Sequence, residues 1–411
     1  MRNLKSILTG SAAAVAFLCA CNSVPQQPVQ PELTQSGINP ADYDTCIAVA
    51  YDAEAHAFVA DTANAKQVKL YTLTNANGME VCITNFGGRI VSIMVPNKDG
   101  ELVDVACGFD KVENYFPWIF ETDFGCSVGR YANRINDGKY SYNGEIVTLP
   151  KNNNGVACLH GGFTGWQYQV YDVVEATDQS LTIKRVSPAG DNQFPGNVEA
   201  TVKFELTDDN AIVINYDGTT DAPTVLNMTN HTYFNLSGDL NNTIDESVLY
   251  VNADSYTPGD RFLIPTGEIR SVEGTVFDFR TPKAIGTDFD KNDAEMISVG
   301  GGYDHNWCLN TKGNQDKIAA TMTDPRSGIK LDVYTNEPGI QCYTANFQDG
   351  TRPGKGGIMY QKHCAICLES QKYPDSHNKC MMPGWEQSNP FITPEKPYHS
   401  YCKYAFSVVA E

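Results

Sequence analysis

Two of the seven histidines in this chain stand among residues fit for chemistry. His160 lies in Cys158-Leu-His-Gly-Gly162, where flanking glycines let backbone and ligand approach closely. His231 lies in Asn227-Met-Thr-Asn-His-Thr-Tyr-Phe-Asn-Leu-Ser-Gly238, a strand end crowded with polar and aromatic side chains. An imidazole takes up or gives a proton near neutral pH, although either histidine alone reads first as a satisfied structural residue. Two carboxylates stand out by their surroundings. Asp304 sits in Gly301-Gly-Tyr-Asp-His-Asn-Trp-Cys-Leu309, and Glu369 ends the apolar run Ala365-Ile-Cys-Leu-Glu just before Gln371, Tyr373 and Pro374. Desolvation at the end of a buried strand raises a carboxyl pKa and suits it to general-base work near neutrality. A strand-end acid that merely caps or meets solvent is the duller reading. Arg130 and Arg134, in Gly129-Arg-Tyr-Ala-Asn-Arg-Ile135, offer forked hydrogen bonds to hydroxyls or a carboxylate, or an ordinary surface salt bridge. No G-x-S-x-G elbow, P-loop or G-x-G-x-x-G fingerprint occurs.

The elements that must position these groups read as strands. Glu80-Val-Cys-Ile-Thr84, Arg89-Ile-Val-Ser-Ile-Met-Val95 and Leu102-Val-Asp-Val-Ala106 are short β-branched runs separated by Gly87-Gly88 and Lys98-Asp-Gly100. Val198, Ala200, Val202, Phe204 and Leu206 alternate with polar neighbours, Asp208-Asp-Asn210 turns the chain, and Ile212, Ile214 and Tyr216 resume the period of two. Long segments of helical period are absent, and 34 Gly and 21 Pro supply turns. The fold class is therefore all-β, a large antiparallel β-sandwich. No short internal repeat supports a propeller.

The ends of the chain carry other signals. Arg2 and Lys5 precede the apolar stretch Ile7 to Leu18, and Leu18-Cys-Ala-Cys21 resembles a bacterial lipobox. That predicts a lipoprotein signal peptide over 1–20, removed before a diacylated Cys21; an ordinary cleaved signal peptide is the duller reading, and either exports the chain. Nothing after Cys21 resembles an acidic surface-export run, so the expected location is an outer-membrane anchor facing the periplasm. Pro25, Gln26, Gln27, Pro28, Gln30 and Pro31 predict a flexible tether over 21–60, with a short helix in the Ala-rich stretch 48–60. The folded domain is expected over 61–411, about 350 residues, enough for a large core.

Removing Cys19 with the signal and Cys21 to the lipid leaves eleven of the 13 cysteines, an odd number, so at least one stays unpaired or pairs between chains. The apolar setting of Cys364 and Cys367 points to small buried hydrophobes rather than to a zinc or redox motif. The net charge is −19 with no clustered Lys or Arg, which excludes nucleic acid as a partner.

Taken together, these segments resemble the aldose 1-epimerase (galactose mutarotase) family, in that family's order, from about residue 70 to the C-terminus. The motifs are Gly129-Arg-Tyr-Ala-Asn-Arg-Ile135, Leu159-His-Gly-Gly162, Thr229-Asn-His-Thr-Tyr-Phe-Asn-Leu236, Tyr303-Asp-His-Asn306 and Cys367-Leu-Glu-Ser-Gln-Lys-Tyr-Pro-Asp-Ser-His-Asn378. Phe194-Pro-Gly196, Ile264-Pro-Thr-Gly-Glu268, Phe277-Asp-Phe-Arg280 and Pro338-Gly-Ile-Gln341 support the register. The resemblance implies a supersandwich of the galactose mutarotase kind with its site in a cleft on one concave face. It makes Glu369 the general base that takes the proton from the C1 hydroxyl of a free aldohexose such as glucose or galactose. His231 becomes the general acid that protonates the ring oxygen, while His160, Asp304, Asn133 and Arg134 hold the sugar. Neither a metal nor an organic cofactor is required for α/β anomer interconversion. The partner is a free monosaccharide, membrane contact runs only through the lipid, and the chain is a monomer or weak dimer. Ser370 and Cys342 depart from the family's usual proline and aromatic.

The chemistry asks for such a set independently. Opening a hemiacetal ring moves one proton off and one proton on, so a resting imidazolium and an ionised carboxylate make a complementary pair. Two other readings use the same residues: a glycoside hydrolase with Asp304 and Glu369 as its carboxylate pair, and a non-catalytic carbohydrate-binding sandwich. The first leaves both histidines without a role; the second leaves the acid and base without one.

Overall fold

A computed structural model describes residues 32–119 and 122–409, which from Leu33 onward belong to one compact unit. Its described residues are mostly strands, with only the short helices Ala294–Ser298 and Ser376–Lys379 and a few 3-10 turns. The alternation noted above forms the hairpin of strands Val198–Leu206 and Ala211–Thr220, in register with Val202 opposite Tyr216 and Phe204 opposite Ile214. That hairpin lies inside a nine-stranded antiparallel sheet, where Ala211–Thr220 also pairs with the long strand Tyr398–Val408.

A six-stranded sheet faces it, in the order Tyr233–Phe234, Ile366–Gln371, Gly339–Tyr343, Asp304–Cys308, Ser255–Thr257 and Arg270–Ser271. Successive side chains of a strand point to opposite faces. Ile366 and Leu368, together with Ile340, Cys342 and Trp307, share one buried core with Phe204, Ile214, Tyr404 and Phe406 of the larger sheet. Burying each large apolar side chain contributes about 1.5–3 kcal/mol, so this seam fixes the register of the six strands. A one-residue slip would drive Glu369 into it. A four-stranded sheet, Leu70–Thr74, Glu80–Thr84, Arg89–Pro96 and Leu102–Asp104, adds Val81, Ile83 and Ile93 to the same core.

The stretch read as tether is folded from Leu33 onward. Instead of a helix over 48–60, strands Val49–Asp52 and Ala57–Ala60 form a hairpin, and Thr45–Ile47 pairs with Lys66–Val68. Ile38, Tyr43, Ile47 and Val49 join a second apolar cluster with Phe86, Val91 and Tyr115. Tyr51 stacks on Phe163 with ring centroids 4.0 Å apart. The scattered Ile, Val and Tyr, each spaced by polar residues, find an apolar partner surface that local composition does not reveal.

The lipobox and the proline-glutamine run lie outside the described residues. No described helix is long and apolar enough to cross a membrane. The eleven described cysteines are all free thiols, and all but Cys46 are buried. Ser370 and Cys342 both face inward: Ser370 Oγ lies 3.6 Å from Cys402 Sγ, and Cys342 belongs to the shared core.

Candidate active site

Side chains directly opposite one another on antiparallel strands share a face. Glu369 is opposite Gln341, and Tyr343 is opposite both Asp304 and Cys367, so Asp304, Gln341, Tyr343 and Glu369 all project from the face turned away from the core. Gln341 Nε2 donates to Asp304 Oδ1 at 2.6 Å, which fixes the carboxylate between strands.

The two histidines come from loops clamped by backbone hydrogen bonds. The His231 N–H donates to the Cys126 carbonyl at 2.9 Å, and its carbonyl accepts from the Gly125 N–H at 2.9 Å. His160 follows the strand Ala157–Leu159, which pairs with Arg134–Asn136. Its N–H donates to the Asn133 carbonyl at 3.1 Å, while the Asn133 N–H donates to its ring Nδ1 at 3.2 Å. Both residues take left-handed backbone angles, φ 65° at Asn133 and φ 47° at His160. The glycine after His160 is required by the backbone itself: a Cβ at Gly161 would lie 2.1 Å from the Gly129 carbonyl oxygen. The histidine motif and the arginine motif are therefore two halves of one packed corner.

All six residues expected at the site, His231, Glu369, His160, Asp304, Arg134 and Asn133, line one cavity of about 170 Å³. His231 Nε2 lies 3.5 Å from Glu369 Oε1, and the two side chains are 6% and 2% exposed. Glu369 Oε2 and His231 Nδ1 are buried without a hydrogen-bond partner. Buried polar atoms are rarely left unpaired, so these are positioned for something that enters the cavity.

Burial pushes the Glu369 carboxyl well above the usual carboxylate range; nearby Asp304 and Asp123 add to this and Arg134 opposes it. Burial lowers His231. Both shifts run against the resting imidazolium and ionised carboxylate expected from the sequence: burial favours the neutral form of each group. Burial also pushes His160 down to about 3. Its Nδ1 accepts from Asn133, so in the neutral ring Nε2 carries the proton and His160 is a fixed hydrogen-bond donor. Arg134 is held by Asn153 Oδ1 at 3.2 Å and Asn133 Oδ1 at 3.5 Å. Arg130 is not in the cleft. It is buried and donates to Ser187 and to the Pro188 and Pro195 carbonyls, a structural role.

Several lining residues escaped the sequence reading: Asp123, Tyr233, Tyr343 and Phe347. Tyr233 sat inside the His231 motif and Tyr343 two positions beyond Gln341, the period-two signal of a shared strand face. Asp123, in Thr122-Asp-Phe-Gly125, carries no such signal. One ligand atom each from Asp123, His160 and His231 lies within 4.8 Å of the others, the described group whose donor types fit a metal ion. The Asn133 hydrogen bond to His160 Nδ1 works against it, since it leaves a proton rather than a lone pair on the other nitrogen.

The family model for aldose 1-epimerase matches residues 69–387. The chain belongs to the aldose 1-epimerase family. It is 38% identical over 338 residues to an aldose 1-epimerase of Escherichia coli, covering 82% of this chain and 95% of that one. It is 39% identical over 334 residues to the galactose mutarotase of Mus musculus, covering 80% and 92%. Among solved structures, an aldose epimerase homologue from C. elegans superposes with a TM-score of 0.76 at 28% identity, over 84% of this chain and all of that one. Membership of the aldose 1-epimerase family makes the protein an isomerase, and the supersandwich is the architecture its relatives share. The family match begins near the first strand of the four-stranded sheet, so the folded stretch from Leu33 to Val68 lies outside it.

Proposed function

We propose that the protein interconverts the α and β anomers of free aldohexoses, with Glu369 and His231 as the proton-transferring pair. The observation that carries this reading is the 3.5 Å separation of His231 Nε2 and Glu369 Oε1 inside one cavity. The two oxygens that exchange protons in a hemiacetal, the C1 hydroxyl and the ring oxygen, are bonded to the same carbon. An acid and a base that serve both must therefore be neighbours. Glu369 takes the proton from the C1 hydroxyl, the oxygen's electrons form the C1 carbonyl, the bond from C1 to the ring oxygen breaks, and His231 delivers a proton to that oxygen. The aldehyde turns about C1–C2 and recloses with the roles reversed. Each positioned group contributes on the order of 10²–10⁴-fold.

His160 donates from Nε2, Arg134 supplies a guanidinium, and Asp304 accepts; with Asn133 they hold the hydroxyls. A hydrolase is less well served, because its acid and base must flank a bond to a leaving group, and it gives neither histidine a role. The test is optical rotation of freshly dissolved α-D-glucose and α-D-galactose with purified protein. Faster equilibration than in buffer is expected, and buffer-limited rates across several aldoses would overturn the assignment.

We further propose that the protein is exported and lipidated at Cys21, a monomer or weak dimer at the periplasmic face of the outer membrane. The Leu18-Cys-Ala-Cys21 sequence supports the anchor. Cys21→Ala is expected to abolish labelling by a tagged fatty acid; retained labelling would remove the anchor from the account.

A further inference from the structure

Asp123 is held more firmly than a loop residue needs to be. Arg89, fully buried, donates to the carbonyls on both sides of it, Thr122 at 3.0 Å and Phe124 at 2.7 Å. A third hydrogen bond, 2.6 Å to the Gln167 carbonyl, ties the same guanidinium to the loop that follows His160. The Phe124 ring stacks on Tyr233 with centroids 3.9 Å apart, and the Cys126 N–H closes a turn on the Asp123 carbonyl. With its backbone pinned on both sides, the Asp123 side chain lines the cleft, and its Oδ1 is buried with no hydrogen-bond partner. A fixed, desolvated acceptor of this kind is costly to leave unpaired.

We infer that Asp123 is a specificity-determining residue that accepts a hydrogen bond from the C6 hydroxyl of the sugar. This rests on the epimerase reading, in which His231 faces the ring oxygen. That oxygen is bonded to C1, the side Glu369 serves, and to C5, which carries C6. Donor atoms of Asp123, His160 and His231 lie within 4.8 Å of one another, and Glu369 lies 3.5 Å from His231. With C1 assigned to Glu369, the other carbon on the ring oxygen, C5 with its C6 hydroxyl, is the one we assign to Asp123. A site built to bond a hydroxyl discriminates sharply against the analogue that lacks it, because its own polar group is then stranded. The same carboxylate repels a 6-phosphate.

The experiment compares D-galactose with its 6-deoxy analogue, D-fucose, by polarimetry, and D-glucose with 2-deoxy-D-glucose as the control pair, in the parent, Asp123→Asn and Asp123→Ala. The parent is expected to favour the 6-hydroxy sugar by about 10²-fold or more in kcat/KM. Asp123→Ala should bring that ratio to within about threefold by slowing galactose, Asp123→Asn should fall between, and the 2-deoxy ratio should not move. Unchanged melting temperatures will show that the variants fold. A parent that turns over both 6-sugars equally, a ratio that survives Asp123→Ala, or an equal loss on both sugars overturns the assignment while leaving the epimerase intact. A parent that accelerates no sugar overturns both. Stoichiometric Co²⁺ binding lost in Asp123→Asn would make the residue a metal ligand instead and also overturn it.

Discussion

His231 Nε2 and Glu369 Oε1 lie 3.5 Å apart in a space almost closed to water, and both groups are pushed by burial toward their neutral forms. The pair therefore has a single proton to manage. Burial favours that proton on Glu369; the reacting arrangement needs it on His231. These forms differ only by transfer across the gap a hemiacetal is shaped to bridge, so titration belongs to the pair rather than to either residue.

Glu369→Gln and His231→Asn are each expected to lower kcat/KM by about 10²–10⁴-fold, and the double variant by scarcely more than the worse single. Groups that pass one proton between them fail together. Polarimetric kcat/KM for all three proteins checks this, and losses that multiply would show two independent contributions.

The raised Glu369 carboxyl sets the alkaline limb of activity, where the pair loses its single proton. A carboxyl with a raised pKa keeps its proton above the ordinary glutamate value of about 4.3, and activity needs that one proton on the pair, so kcat/KM should fall on alkalinisation as Glu369 ionises beside a neutral His231. Asp304 and Asp123 push this limb up and Arg134 pulls it down, so Arg134→Met should move it to higher pH. A limb unmoved in Arg134→Met would take Glu369 out of the titration.

Gln341 acts through Asp304. Its 2.6 Å hydrogen bond fixes the carboxylate across the sheet, and a side chain without it leaves Asp304 less firmly held. Gln341→Leu is expected to raise KM about tenfold while kcat changes less, the pattern of lost binding rather than lost chemistry. Saturation curves that show only a fall in kcat would assign Gln341 a different part.

Below the cleft, Asp375 ties the strand carrying Arg134 to the loop after Glu369. Its N–H donates to the Arg134 carbonyl at 2.9 Å, and its Oδ1 accepts from the Asn136 N–H at 2.9 Å and from Asn378 Nδ2 at 2.8 Å. Burial raises its pKa, but His377 and Lys379 outweigh that and hold it at about 2. A depressed carboxyl contributes stability that is complete above its unfolded value and is lost as pH falls through the folded one. The parent should lose on the order of 2–3 kcal/mol between about pH 4 and pH 2, and Asp375→Asn should flatten that part of a urea-stability profile.

The chemistry was legible in the sequence where residue type was constrained by a neighbour. Gly161 must be glycine because the Gly129 carbonyl sits where a Cβ would go, and Glu369 follows an apolar run because that run is a core strand. Alternation alone disclosed the hairpin of 198–220. What local pattern could not carry was partnership across distance. Asp123 is placed by Arg89, 34 positions earlier in the chain, and the stretch from Leu33 to Val68 looks like linker until Phe86 and Tyr115 give it a surface. The lowered pKa of His231 is hidden from the sequence for the same reason: its burial is made by elements remote in the chain.

The cysteines bear on where such a molecule can work. Disulfide exchange requires a thiolate that can be reached, and burial pushes the thiols of Cys82 and Cys402 to about 11 and Cys158 to about 12. An oxidising surrounding therefore finds little to oxidise in the folded body. Cys46, on the strand Thr45–Ile47, is the exposed thiol among the described residues. Among the described residues the fold rests on no disulfide, and a chemist wanting an attachment point finds an exposed thiol there already.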